Sequence, residues 1–171
     1  MSYVNAMKVA RLVRDAGGRI VGRTKLQKTA YLLCVAGLEE GLPFAYKHYG
    51  PYSEDLAAAA RDADLLGLLN ETEQQTTWGG TYSTYVVNEQ PDPGTNAARR
   101  RLAAEAASAD AVELELAATA VFLAFEGHTD PWAETARRKP EKAENGRVDR
   151  AKVLYRRLSA IDTPVRLPAI V

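Results

Sequence analysis

The residues best equipped for chemistry stand in and beside one stretch, Lys25 to Ser53. Lys25, Gln27 and Lys28 offer ammonium and amide groups. Tyr46, His48, Tyr49 and Tyr52 crowd a Gly50-Pro51 turn, and Glu54 and Asp55 follow it. Acid–base or nucleophilic catalysis needs a base beside a nucleophile and a third group to orient the base. Only His48 and His128 could supply imidazole, the second from a Gly-His-Thr-Asp loop, and neither lies in a known catalytic motif. The expectation is a protein that is not an enzyme. One cysteine, Cys34, and two histidines give no ligand-spaced metal cluster. Gly17-Gly18-Arg19 and Trp78-Gly79-Gly80 lack the frame of phosphate loops and read as turns, so no cofactor is expected. What remains is packing and recognition: aromatic residues this dense around a turn make either a core corner or a binding surface.

Several elements must hold that stretch in place. A first helix is expected from Val4 to Ala16, stopped by Gly17-Gly18, followed by a short extended Ile20-Val21. A second runs from about Thr24 to Gly37, with Leu26, Ala30, Leu33 and Gly37 on one face. Phe44 to Tyr49 reads as extended. Ser53 can cap a third helix whose buried stripe is Leu56, Ala59, Ala60, Ala63 and Leu66. Leu68 to Thr77 and Thr81 to Asn88 pair as a hairpin across Trp78-Gly79-Gly80. Helix, helix, turn, helix, hairpin is the order of a winged helix-turn-helix. The fold class is therefore mainly α with a small β-hairpin: a winged-helix-like part over 1–90, then C-terminal helices over 96–160 that share its core or form a lobe of their own.

Gln90 to Thr95 is a linker rich in Pro and Gly. Helices are expected from Asn96 to Ala106, from Asp110 to Phe125, from Asp130-Pro131-Trp132, and from Asp149 to Ala160. The second of these is so apolar that it should be the central, mostly buried helix. Residues 161–171 read as a loose tail.

At 171 residues the chain can bury a real core, and 46% hydrophobic with 26% charged residues argues against global disorder. Lys+Arg and Asp+Glu are 22 each, which removes bulk charge as a reason to bind nucleic acid or membrane. A lone cysteine and no apolar run of membrane-spanning length suit a soluble, cytoplasmic protein. Charge is nevertheless segregated. Met1 to Tyr31 is basic, with Asp15 its one acid. Ser53 to Glu73 carries Glu54, Asp55, Asp62, Asp64, Glu71 and Glu73 against Arg61. These patches either satisfy each other across the fold or match a charged partner.

Lys25-Leu26-Gln27-Lys28 with Tyr31-Leu32-Leu33, then Tyr46, His48-Tyr49-Gly50-Pro51-Tyr52-Ser53 and Leu56, then Leu65 with Gly67-Leu68-Leu69, resemble the Panacea or SocA-like antitoxin-associated domain and the related YwgA-like bacterial proteins. Arg138-Lys139-Pro140 before a closing helix is similar to the YwgA-like layout. The motifs span roughly residues 20 to 70, under a third of the chain. The resemblance implies a compact, largely helical fold and, in several members, neutralisation of a toxin by direct binding.

Two functions follow. One is a protein-binding module, antitoxin-like, belonging to a toxin–antitoxin or phage-defence locus. Lys25, Gln27, Lys28, Tyr46, His48, Tyr49, Tyr52, Glu54 and Asp55 are its candidate contacts, Tyr82 and Tyr85 lie on the wing, and the acidic third helix would suit a basic, toxin-like partner. A homodimer is also open. Within that set, the structural alternative for Tyr49, Pro51 and Tyr52 is a staple between the second and third helices, and for Lys25 and Gln27 a solvated helix face. The other function is a winged-helix DNA-binding regulator, against which the acidic third helix argues because its carboxylates would face phosphates.

Overall fold

The computed structural model describes residues 2–170, over which the chain forms seven helices and five short strands. Helix α1 (Tyr3–Asp15) starts where the Ser2 hydroxyl accepts from the Asn5 amide. Strand β1 (Arg19–Val21) leads through Gly22 into α2 (Arg23–Val35). Strands β2 (Ala45–Lys47) and β3 (Gly50–Tyr52) form a small antiparallel ribbon in which Lys47 opposes Gly50. Helix α3 (Glu54–Leu65) follows, capped by the Ser53 hydroxyl on the Leu56 amide at 3.1 Å. Strands β4 (Asn70–Gln75) and β5 (Thr81–Val86) make a hairpin, and β1 joins its free side, so that β5 is the middle strand of an antiparallel sheet. Ile20 faces Tyr85 across one pairing and Glu71 faces Tyr85 across the other.

Helices α4 (Ala97–Ser108), α5 (Ala111–Phe125), α6 (Pro131–Arg138) and α7 (Arg147–Ser159) complete the chain. Asn96, Asp110 and Asp130 cap the first three through their side-chain oxygens. One hydrophobic core runs from Ala6 of α1 to Leu167 beyond α7, so the C-terminal helices share the core of the N-terminal part. Helix α5 is buried without a break from Leu114 to Val121, as its nearly all-round apolar sequence demands. Helix α2 is its equal: every residue from Leu26 to Leu33 is buried, because α4, α5, β1, β3 and β5 all pack against it.

A buried ionic strut ties α1 to α4. Asp15 accepts from Arg14 Nε at 3.0 Å and from Arg99 Nε at 2.7 Å, while Arg99 also donates to the Leu38 carbonyl. An acid this buried is tolerated because two guanidiniums satisfy it.

Three expectations are corrected. Leu66 is not core but 42% exposed: α3 ends at Leu65 and Leu66 is its C-cap, so the buried stripe stops at Ala63 and the chain leaves through Gly67 (φ +73°). Tyr85 is buried, not displayed on a wing, because it lies on the inner face of the middle strand. Residues 161–170 are docked and not loose. Ile161 and Leu167 are buried, the Val165 amide donates to the Ala36 carbonyl at 3.0 Å, and the Tyr155 hydroxyl donates to the Pro168 carbonyl. Residue 171 lies outside the described residues.

Candidate functional site

The Lys25–Ser53 stretch becomes two layers, one buried and one exposed. In the buried layer Gln27 grips Ser53 like a strand partner. Its Oε1 accepts from the Ser53 amide at 2.8 Å and its Nε2 donates to the Ser53 carbonyl at 3.0 Å. Lys28, fully buried, donates through Nζ to the Pro51 carbonyl at 2.7 Å. Both residues leave the set of candidate partner contacts. Their polar ends satisfy the backbone of β3 and the α3 cap, which no water can reach. Burial pulls the Lys28 ammonium down to about 8; Glu115 opposes that shift, and Lys139 and Lys142 reinforce it.

The other half of this layer comes from the C-terminal helices. Glu115 on α5 is buried and accepts from Lys142 Nζ at 2.8 and 2.9 Å, with Lys139 Nζ 3.1 Å from one of its oxygens. Lys139 also donates to the His48 carbonyl at 2.8 Å. Two lysines from distant parts of the chain, Lys28 and Lys139, thus hold the Pro51 and His48 carbonyls at the tip of the β2–β3 ribbon. Gly50 (φ +86°) sits between those carbonyls, where a Cβ would overlap the Thr119 hydroxyl of α5. Only glycine fits here, for both the backbone and the space. That hydroxyl is itself buried without a hydrogen-bond partner.

The exposed layer is aromatic and acidic. Tyr49 is 55% exposed, with Lys142 Nζ 4.4 Å from its ring centre. Tyr46 is half-buried between Phe122 (5.9 Å between rings) and the Arg138 guanidinium at 4.9 Å. His48 is exposed at the ribbon tip, and Tyr52 and Lys25 are half-buried. Glu54 and Asp55 are exposed on the first turn of α3, and Lys47 Nζ lies 3.8 Å from Glu54. Further along α3, Asp64 is exposed and Asp62 half-buried, with Arg61 the helix's one cation. Asp64 also accepts from the Glu71 amide at 2.9 Å. On the hairpin, Arg23 bridges Glu71 and Glu73 at 3.9 and 3.0 Å.

The stretch therefore brings Tyr49, Glu54 and Asp55 to the surface, with Lys25 and Tyr52 at its margin, and withdraws Gln27 and Lys28. Sequence reading did not find Glu115, Thr119 or Lys142, and it met Lys139 only within Arg138-Lys139-Pro140, with no contact assigned to it. A signal for Glu115 was present: a carboxylate amid the apolar run of α5. Among the described residues no group of three or more His, Cys, Asp or Glu could hold a metal ion. No helix among them is long and apolar enough to cross a membrane.

No protein-family model, curated protein or solved structure matches this chain.

Proposed function

We propose that the chain is a non-catalytic, cytoplasmic protein-binding module, the antitoxin-like component of a bacterial toxin–antitoxin or phage-defence locus, related to the Panacea or SocA-like domains. It neutralises a toxin-like partner by covering its active groove. The observation that carries this reading is the sorting of charge around β3 and α3. Lys28 and Lys139 point inward onto the ribbon's carbonyls, while Glu54, Asp55 and Asp64 are exposed along α3 and Tyr49 is exposed on the ribbon that precedes it. A helix that shows carboxylates after a ribbon with an exposed tyrosine is suited to a cationic polypeptide, since tyrosines anchor interfaces and complementary charge guides them together. Co-expression tests it: one product of the adjacent genes should be toxic alone, harmless with this chain, and co-purified by it. If none is toxic and none co-purifies, the reading fails.

A second reading, a winged-helix DNA-binding regulator, draws on the order of β1, β5 and β4, which suits a wing behind a helix-turn-helix. It must place DNA away from α3, along the exposed Arg11 and Arg19 and the half-buried Lys25. It requires promoter binding that weakens steeply with salt and with Lys25→Glu; no mobility shift at low salt removes it.

A further inference from the structure

A groove of about 430 Å³ runs between the first turns of α2, the tip of the β2–β3 ribbon and the start of β5. Its walls include Tyr49, Tyr52 and Tyr82, and its cations are Arg23, Lys25 and Lys28; no Asp or Glu lines it. The three cations differ in what they have left to give. Arg23 is engaged with Glu71 and Glu73 on the hairpin. Lys28 is fully buried behind the floor, its ammonium turned to the Pro51 carbonyl, so it lends the groove charge and no contact. The acid that acts on it, Glu115, is already taken by Lys139 and Lys142. Lys25 forms no ion pair among the described residues, although it is half-buried beside the groove. The groove is therefore positive and aromatic in a chain whose neighbouring helix is acidic.

From this charge complementarity we infer that the groove binds an acidic segment of a partner polypeptide, with a carboxylate against Lys25 and an apolar side chain between the tyrosines. Tyrosines supply a large, stiff contact area, and a half-buried lysine reads a carboxylate more strongly than an exposed one. The inference rests on the protein-binding reading for its occupant. It adds a second contact of opposite sign to the acidic edge of α3, so that a partner carrying both charges docks in one orientation only.

A fluorescein-labelled short peptide alternating Glu and Leu is the probe, read by anisotropy against the full chain at low salt. The peptide is expected to bind, its Lys counterpart not to bind in the groove, and Lys25→Glu to weaken the Glu peptide about tenfold or more. Tyr82→Ala, at an exposed side chain near the start of β5, should weaken it about threefold to tenfold without unfolding the chain, checked by circular dichroism. Glu54→Lys should leave this peptide no weaker, because that side chain belongs to the other surface. Co-purification of a toxic neighbour can fail while the peptide still binds Lys25 and the tyrosines, which separates the two readings. Equal binding by wild type and Lys25→Glu overturns the inference. So does a single-stranded oligonucleotide that displaces the peptide at lower concentration, which assigns the groove to nucleic acid.

Discussion

Lys28 shows how a charged residue serves a fold from inside. Its ammonium is buried from water, donates to the Pro51 carbonyl, and feels a carboxylate claimed by Lys139 and Lys142. Desolvation therefore dominates, and the group falls to about 8. An unfolded lysine holds its proton to about pH 10.4, so between those values the unfolded chain binds more protons than the native one. Stability from this group must rise with pH over that window; below about pH 8 its full penalty remains. Acids work the other way: burial raises Cys34 to about 11 and also raises Tyr31, Tyr85 and Tyr155, so each costs stability once its unfolded form ionises. Those contributions are shared by wild type and Lys28→Met and cancel in their difference. Urea unfolding should show wild type gaining on Lys28→Met between about pH 8 and pH 10, by at most about 1.4 kcal/mol per pH unit. A pH-independent difference would mean that Lys28 titrates as it does in water.

At the scale of elements, the junction between α2 and α3 depends on one amide side chain. Gln27 pairs with both backbone groups of Ser53, and the Ser53 hydroxyl caps α3. Gln27→Ala leaves a buried N–H and a buried C=O unmade at once, and urea denaturation should report a loss of about 2–4 kcal/mol. Gln27→Glu should lose as much or more, since it keeps the acceptor but sets a carboxylate against the Ser53 carbonyl. A loss under about 1 kcal/mol for Gln27→Ala would show that water takes over those groups. This junction also marks where sequence reading ran out. Helix and turn positions were legible because caps and glycines are local: Ser53, Asp110, Asp130 and Gly67 all stand where their types suggest. Gln27 and Lys28 were misassigned to the accessible side because an amphipathic pattern assumes one wet face, and α2 is enclosed on every side along its middle. The pairing of Lys139 with the His48 carbonyl spans 91 residues, and no local pattern announces it.

For the molecule as a whole, the aromatic ribbon is held by both halves of the sequence. Lys28 reaches its Pro51 carbonyl from the N-terminal half; Lys139, Lys142 and Thr119 press on it from the C-terminal half. The core has the same character, because α2 is sandwiched by α4 and α5 and α5 by α2, α6 and α7. A fragment of residues 1–90 would strip α4 and α5 from α2, uncovering apolar side chains such as Tyr31, whose ring packs on Phe122, and leave Lys28 without Glu115 nearby. Each large apolar side chain returned to water costs about 1.5–3 kcal/mol, and a domain's net stability is only about 5–15 kcal/mol. The fragment should therefore fail to fold, with no cooperative melt by circular dichroism, whereas the full chain melts in one transition. Adding residues 96–170 as a separate polypeptide should restore the cooperative melt, because the two pieces bury each other's core. A fragment 1–90 that melts cooperatively by itself would mean that the ribbon and the surface beside it are built by the N-terminal half alone.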